Sequence, residues 1–347
     1  MASRPSALRT LRPSVMKRAP KVLLWLLATP ILGLVWLWTS LAIHYSSLPR
    51  EWLRTPLAWF VGVGGAIALA CLPRRRRTAL VLFGTFIAVA GSFASIRPSN
   101  DRDWQTKVAV LPDVEFDGDE FTVRNVRNFD YRSEDDFDVH YYDRTYDLAQ
   151  LQALDFIVSY WDGNEDIAHT MMSFDFGGVD VLTVSVEVRR EKGEGWGGLP
   201  GMFKQFELIY VLADERDIVR LRTNYIGEEV YLFRLQVTPE EARMLLVDIL
   251  RSVHELNRQP RFYRTIAQNC TTTLVEHINS VWPGRMPWTK RILMNGYLPE
   301  QGYDKGSIRN DLPFEEVMQL SYINEMAVAA GDDPEFSRRI RAHLEDV

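Results

Sequence analysis

Three apolar runs without a charged side chain crowd into the first 96 of 347 residues, and they constrain the fold more than anything that follows. They cover residues 22–43, 56–72 and 78–96. The first is long enough to span a bilayer, and the other two fall in the lower to middle part of the spanning range of about 17–25 residues. A backbone crossing lipid must satisfy its own hydrogen bonds, so each run is expected as a helix. Trp36, Trp38, Trp52 and Trp59 stand near the proposed boundaries, where amphipathic rings prefer the interface.

Basic residues set the expected topology. Arg4, Arg9, Arg12, Lys17, Arg18 and Lys21 precede the first run, and Arg74 to Arg77 separate the second from the third. Only Arg50 and Arg54 lie in the intervening loop. The positive-inside rule places the N-terminus and the arginine run in the cytoplasm, and three spans send everything after residue 96 outside. A cleaved signal peptide is the rival reading of the first run; its length and the two later spans argue against it. Gly62, Gly64 and Gly65 lack the strand–helix context of a nucleotide loop and suit close helix packing.

Beyond the spans the chain is acidic. Residues 1–96 carry 12 basic side chains against one acid, Glu51, and the remainder carries 28 against 45, a formal charge of −17. Nucleic-acid binding needs a basic footprint, so that class of partner is excluded. The expected organisation is a cytoplasmic basic tail (1–21), a three-helix membrane anchor (22–96), and a linker leading into a first strand (97–120). A periplasmic domain (121–331) and a charged C-terminal tail (332–347) follow.

Within the domain, residues 121–131, 139–148, 151–161, 206–213, 218–225 and 229–237 read as strands from their alternation and their Val, Ile, Tyr and Phe content. Residues 168–176 and 180–188 flank Gly177-Gly178-Val179, a hairpin signal. Thr170, Met172, Phe174 and Phe176 match the apolar face of Leu182, Val184, Val186 and Val188. Keeping those faces together pairs Phe174 with Leu182 and Met172 with Val184. The same register sets Met171 opposite Ser185 and His169 opposite Glu187, where a carboxylate would orient the imidazole and favour its charged form. The glycine-rich loop 193–201 follows and could either cover a site or simply connect strands. Thr238-Pro239-Glu240-Glu241 opens a helix through about residue 257. Residues 283–311 look irregular, and 313–330 reads as one helix.

Gln268-Asn269-Cys270-Thr271 begins another helix. Asn269 suits the N-cap, and a thiol in the first turn feels the positive end of the dipole, which favours the thiolate. Only one other cysteine exists, Cys71, inside an apolar run. Cys270 is either a small buried thiol or a nucleophile, and an unpaired cysteine in an exported domain offers no disulfide to explain it. With His169 as base, Glu187 as orienting group and helix N–H groups for an oxyanion, it would make a thiol acyl-transfer site. His277 is two turns from Cys270, about 10.5 Å along the helix. His254 on the preceding helix stays open, and His140 shows no partner. No CxxC or HExxH is present, and Glu134-Asp135-Asp136 lacks calcium-loop spacing, so neither metal nor cofactor is expected.

These segments carry a resemblance. His169-Thr-Met-Met-Ser-Phe, Ser185-Val-Glu187-Val-Arg189-Arg190-Glu191, Phe206-Glu-Leu-Ile-Tyr210, Glu215-Arg-Asp217, Arg222-Thr-Asn224 and Asn269-Cys270-Thr-Thr together resemble the Lnb N-terminal periplasmic domain family, over roughly residues 110–330. That family resembles circularly permuted papain-like enzymes. The resemblance implies an α+β fold of permuted papain type, with an antiparallel sheet and a Cys-bearing helix. It implies Cys270 as nucleophile and His169 as base, with Glu187 or Ser185 as third member and Asn269 and Arg189 in support. It also implies a phospholipid or lipoprotein substrate and N-acylation of lipoproteins. A papain-like peptidase or amidase acting on envelope peptides, and a non-enzymatic envelope scaffold, are the other expectations.

Overall fold

In a computed structural model of the chain, residues 19–45, 51–71, 76–161, 163–178 and 180–345 are described. Most of the expected basic tail, half of the Arg74–Arg77 run, and Val179 lie outside these residues. The chain divides into two compact units, Met1–Arg97 and Pro98–Val347.

The first unit contains helices α1 (Ala19–His44), α2 (Glu51–Cys71) and α3 (Arg76–Ser95). All three are long and apolar enough to cross a membrane. Trp36 is not at a boundary as expected. Its indole packs against Gly65, where an added Cβ would fall 1.3 Å from Nε1, and it donates to Val61 O at 2.8 Å. Ser40 likewise donates to Ala58 O at 2.8 Å. The glycine run thus serves helix packing: small residues let α1 and α2 approach closely.

The second unit is built on an eight-stranded sheet. Its strands are β1 (Asp113–Asp117), β2 (Glu120–Arg127), β5 (Tyr141–Asp147), β6 (Ala153–Tyr160), β7 (Ala168–Asp175), β8 (Val181–Arg189), β9 (Glu207–Ala213) and β10 (Glu229–Arg234). They lie in the order β1-β2-β9-β8-β7-β6-β10, with β5 pairing β2. Every pairing is antiparallel except the single β2–β9 contact at Arg127 and Ala213. Two short strands, β3 (Asp130–Tyr131) and β4 (Phe137–Asp138), form a separate hairpin.

Period-two patterning gives each sheet face its own core. Met172, Phe174, Leu182, Val184 and Val186 pack under Leu245, Leu246 and Ile249 of helix Pro239–Arg258 and Leu274 of helix Cys270–Val281. On the other face Ile157, Met171, Ile209 and Val211 meet Ile218, Ile323, Phe336 and Ile340. The β7–β8 register pairs Met171 with Ser185, Met172 with Val184 and Phe174 with Leu182, as read from the apolar pattern. At the hairpin, Asp175 Oδ1 accepts the N–H groups of Gly177 and Gly178, and Gly178 takes a φ of +79°, which glycine adopts without strain.

Four expectations are corrected. Residues 218–225 are not a strand: Glu215–Arg220 is α-helical and Leu221–Ile226 continues as a π-helix. Ile218 and Val219 favour a strand locally, but Asp217 and Arg220 pair with Arg127 and Asp130. Helical winding turns both inward, and the tertiary ion pairs override propensity. The stretch 313–330 is two helices, Phe314–Ser321 and Asn324–Ala330. The break lets Ile323 donate to Val230 O and Asn324 Oδ1 accept from Val230 N, which covers the β10 edge.

Residues 283–311 are partly helical, with turns at Lys290–Leu293 and Leu298–Asp304. Residues 332–345, within the expected charged tail, pack into the domain. Phe336 and Ile340 are fully buried, and Arg341 bonds Asp155 at 2.8 Å and Glu215 at 2.6 Å, all three inside the protein. Within the expected linker, Ser99 donates to Glu207 and Asn100 to Leu256 O and Asn257 O, so the chain is docked from its first residues in this unit.

Candidate active site

Cys270 is the first residue of its helix, and Asn269 is the cap. Asn269 Oδ1 accepts from Thr272 N at 2.8 Å, while its own N–H donates to Thr272 Oγ1 at 2.8 Å. Its Nδ2 reaches Thr265 O. These bonds consume early helix N–H groups and fix the approach angle of the chain. Asn269 therefore holds Cys270 in place without entering the site. The helix is clamped to β7 by Asn295, whose Nδ2 donates to Thr271 Oγ1 and Ala168 O, both at 2.6 Å, and whose Oδ1 accepts from Ala168 N. Thr170 and Thr271 hydroxyls meet at 3.2 Å across the same junction.

Fold topology brings His169 to this helix. The β7–β8 ladder stops at Met171–Ser185, so His169 and Glu187 lie just beyond the last paired residues. His169 Nε2 is 2.7 Å from Ser185 Oγ and 3.3 Å from Glu187 Oε1. Ser185 in turn donates to Glu187 Oε1 at 2.7 Å. A hydroxyl has one proton to give. Since Ser185 gives its own to Glu187, it accepts from Nε2–H of His169, which leaves Nδ1 as the nitrogen able to take a proton. Ser185 and Glu187, alternatives from the sequence, act as one relay.

Arg222, on the unexpected π-helix, donates to Glu187 Oε1 at 3.1 Å. Arg189, expected in support, is elsewhere. It lies over the Trp104 ring at 4.3 Å and donates to Val108 O, Ala109 O and Asn100 Oδ1, tying β8 to the incoming chain.

The charges reinforce one another. Burial opposes the ionised Glu187, but His169 and Arg222 outweigh it and hold the carboxyl far below its usual range. Burial likewise opposes the His169 imidazolium, yet Glu187 raises its pKa to about 9. Burial would push the Cys270 thiol up; the hydrogen bond and charge of His169 bring it down to about 7, helped by the Thr170 N–H. The site therefore favours a thiolate–imidazolium pair near neutral pH.

Tyr263 was not singled out from the sequence. Burial keeps its phenol protonated, and its oxygen is hydrogen-bonded to the Cys270 backbone N–H, beside the sulfur. Two other histidines are engaged elsewhere. His277 spans Tyr210 and Asp248 at 2.7 Å each, and His254 meets Asp113 at 3.0 Å.

A cavity of about 440 Å³ lies beside the helix that begins at Cys270, and neither Cys270 nor His169 is among its lining residues. Thr170 and Thr271, the chain neighbours of His169 and Cys270, line it together with Leu154, Phe156, Met172, Leu274, Ile278 and Trp282. A larger polar cleft of about 780 Å³ lies away from Cys270, and its Arg234, Arg309 and Arg341 are already paired with acids.

Residues 137–296 match the Lnb N-terminal periplasmic domain family. The matched segment runs from β4 to the clamp at Asn295 and Gly296, and so contains His169, Ser185, Glu187, Arg222, Tyr263 and Cys270. No curated protein and no solved structure matches the chain. Three helices fit to cross a membrane, followed by a segment that matches the Lnb periplasmic domain family, fit a membrane-associated protein of the cell envelope.

Proposed function

We propose that the periplasmic domain is a thiol acyltransferase, working through an acyl thioester on Cys270. The cavity beside the Cys270 helix carries this reading, because its volume and largely apolar lining suit an extended acyl chain.

In the first half-reaction the Cys270 thiolate attacks the ester carbonyl of a phospholipid. The oxyanion is met by the Cys270 N–H and the Tyr263 O–H, where the phenol now rests. Collapse breaks the C–O bond, and the departing alkoxide takes the proton from Nδ1 of His169, leaving the thioester. In the second half an amine attacks the thioester and His169 accepts its proton. The C–S bond breaks, an amide forms, and Cys270 leaves as thiolate. The family resemblance points to a lipoprotein N-terminus as the amine. The arginine-rich loop and N-terminal segment support a cytoplasmic N-terminus, which a topology reporter fused there would check.

Intact mass spectrometry of the full chain after incubation with phospholipid vesicles tests the reading. The expected result is an acyl mass on Cys270 that hydroxylamine removes and that Cys270→Ala abolishes. A chain that stays unmodified with every phospholipid offered would overturn it.

A further inference from the structure

The loops around Cys270 and His169 carry most of the domain's exposed apolar surface. Trp196 is 66% exposed and Trp288 61%, and Ile167, Leu199, Ile266 and Met294 are open to solvent as well. Ile167, Trp196, Leu199, Ile266 and Met294 lie on segments that are tied to one another and make up the rim. Trp196 meets Trp161 edge-on at 6.1 Å. Asp166, a few residues further, accepts from Gly296 N and Tyr297 OH, beside Met294. On the other side Gly198 O accepts from Thr265, next to Ile266 and ahead of Cys270. Away from the site, exposed apolar side chains such as Val139, Met244 and Val328 stand singly, which is ordinary for a soluble surface.

Residues 257–299 hold six basic side chains against one acid, Glu276, within a part of the chain whose formal charge is −17. Arg261, Arg285 and Arg291 among them pair with acids, and Glu165 and Asp166 stand on the other side of the rim. Arg264 and Lys290 stand exposed among the apolar residues, and Lys305 lies at the edge of the acyl cavity. Tryptophans interleaved with cations mark a surface that enters a lipid headgroup region, with anionic lipid preferred. The chain itself supplies the bilayer.

We propose that this rim docks the domain into the periplasmic leaflet of an anionic bilayer, with the Cys270 cavity facing lipid. Docking would let an acyl chain pass from the leaflet into the cavity without crossing water. It deepens the acyl-transfer reading, on which only that benefit rests; the docking itself stands on exposure and charge.

The test uses the full chain in a Cys270→Ala background, reconstituted in phosphatidylethanolamine–phosphatidylglycerol vesicles. A benzophenone amino acid replaces Trp196 or Leu199 in the rim, or Val139 or Val328 as controls, and thermal unfolding checks each variant for folding. Irradiation is expected to give phospholipid adducts several-fold more abundant at the rim positions, falling when phosphatidylcholine replaces phosphatidylglycerol. Equal lipid labelling at all four positions would overturn the proposal, as would rim adducts formed mainly with a second copy or another protein. Yields indifferent to lipid charge would overturn its anionic preference. No thiol chemistry is involved, so failure here and failure of the acyl-transfer reading are separately visible.

Discussion

The Oγ of Ser185 lies 2.7 Å from Nε2 of His169 and turns its single proton toward Glu187, which decides the tautomer of the imidazole. Nδ1 is thereby the nitrogen available to Cys270, and the relay from Glu187 through Ser185 sets the basicity of that nitrogen.

The first prediction concerns the thiol. Alkylation of Cys270 by iodoacetamide is expected to rise with an apparent midpoint near the thiol pKa of about 7. His169→Ala removes the hydrogen bond and the charge and leaves burial alone, so the midpoint should move above the ordinary thiol value of about 8.5. A rate–pH profile unchanged by the substitution would show that His169 does not activate the thiol.

Relay members should differ in weight. Glu187→Gln removes the charge that holds the His169 pKa at about 9, so burial then pulls the imidazole down and the Cys270 midpoint climbs. Ser185→Ala leaves Glu187 within 3.3 Å of Nε2 and should shift the same midpoint less. The two alkylation profiles, measured side by side, check the order; a larger effect from Ser185→Ala would invert the assignment.

Arg341→Ala strips the cation from Asp155 and Glu215, which are both fully buried. Leaving two interior carboxylates without it should cost about 3–5 kcal/mol of stability, read from denaturant unfolding of the second unit. A loss under about 1 kcal/mol would mean that Arg234, the other partner of Asp155, carries the cluster.

Glu207 gives a pH signature. Burial raises its pKa to about 7 despite Arg102, and one carboxylate oxygen has no hydrogen-bond partner. Its folded pKa stands above the unfolded value of about 4.3. The associated stability is thus complete below that value and is lost as pH rises through 7. Melting temperature should fall between about pH 4.3 and 7 and level off above, and Glu207→Gln should flatten that fall.

What could be read ahead of the structure was local. The β7–β8 register was legible because a one-residue slip would expose Met172, Phe174 and Val184. Asn269 was legible as a cap because its side chain serves amides three residues away. What escaped depends on partners far along the chain. Arg189 and Arg222 look alike in sequence, but residues 100–109 capture the first and Glu187 the second. The helix at Glu215–Arg220 was misread because Arg127 and Arg341, its ion-pair partners, are distant. Tyr263 carries no local mark of its bond to the Cys270 amide.

The Arg341 cluster has a bearing on how the protein is made. Asp155 emerges 186 residues, and Glu215 126 residues, before the arginine that neutralises them in the interior. Until that arginine arrives, Asp155 has Arg234 as its cation, while Glu215 waits for the far end of the chain. The last turns of the domain are therefore part of its interior, and a chain cut short before residue 341 would bury Glu215 without the cation that meets it here.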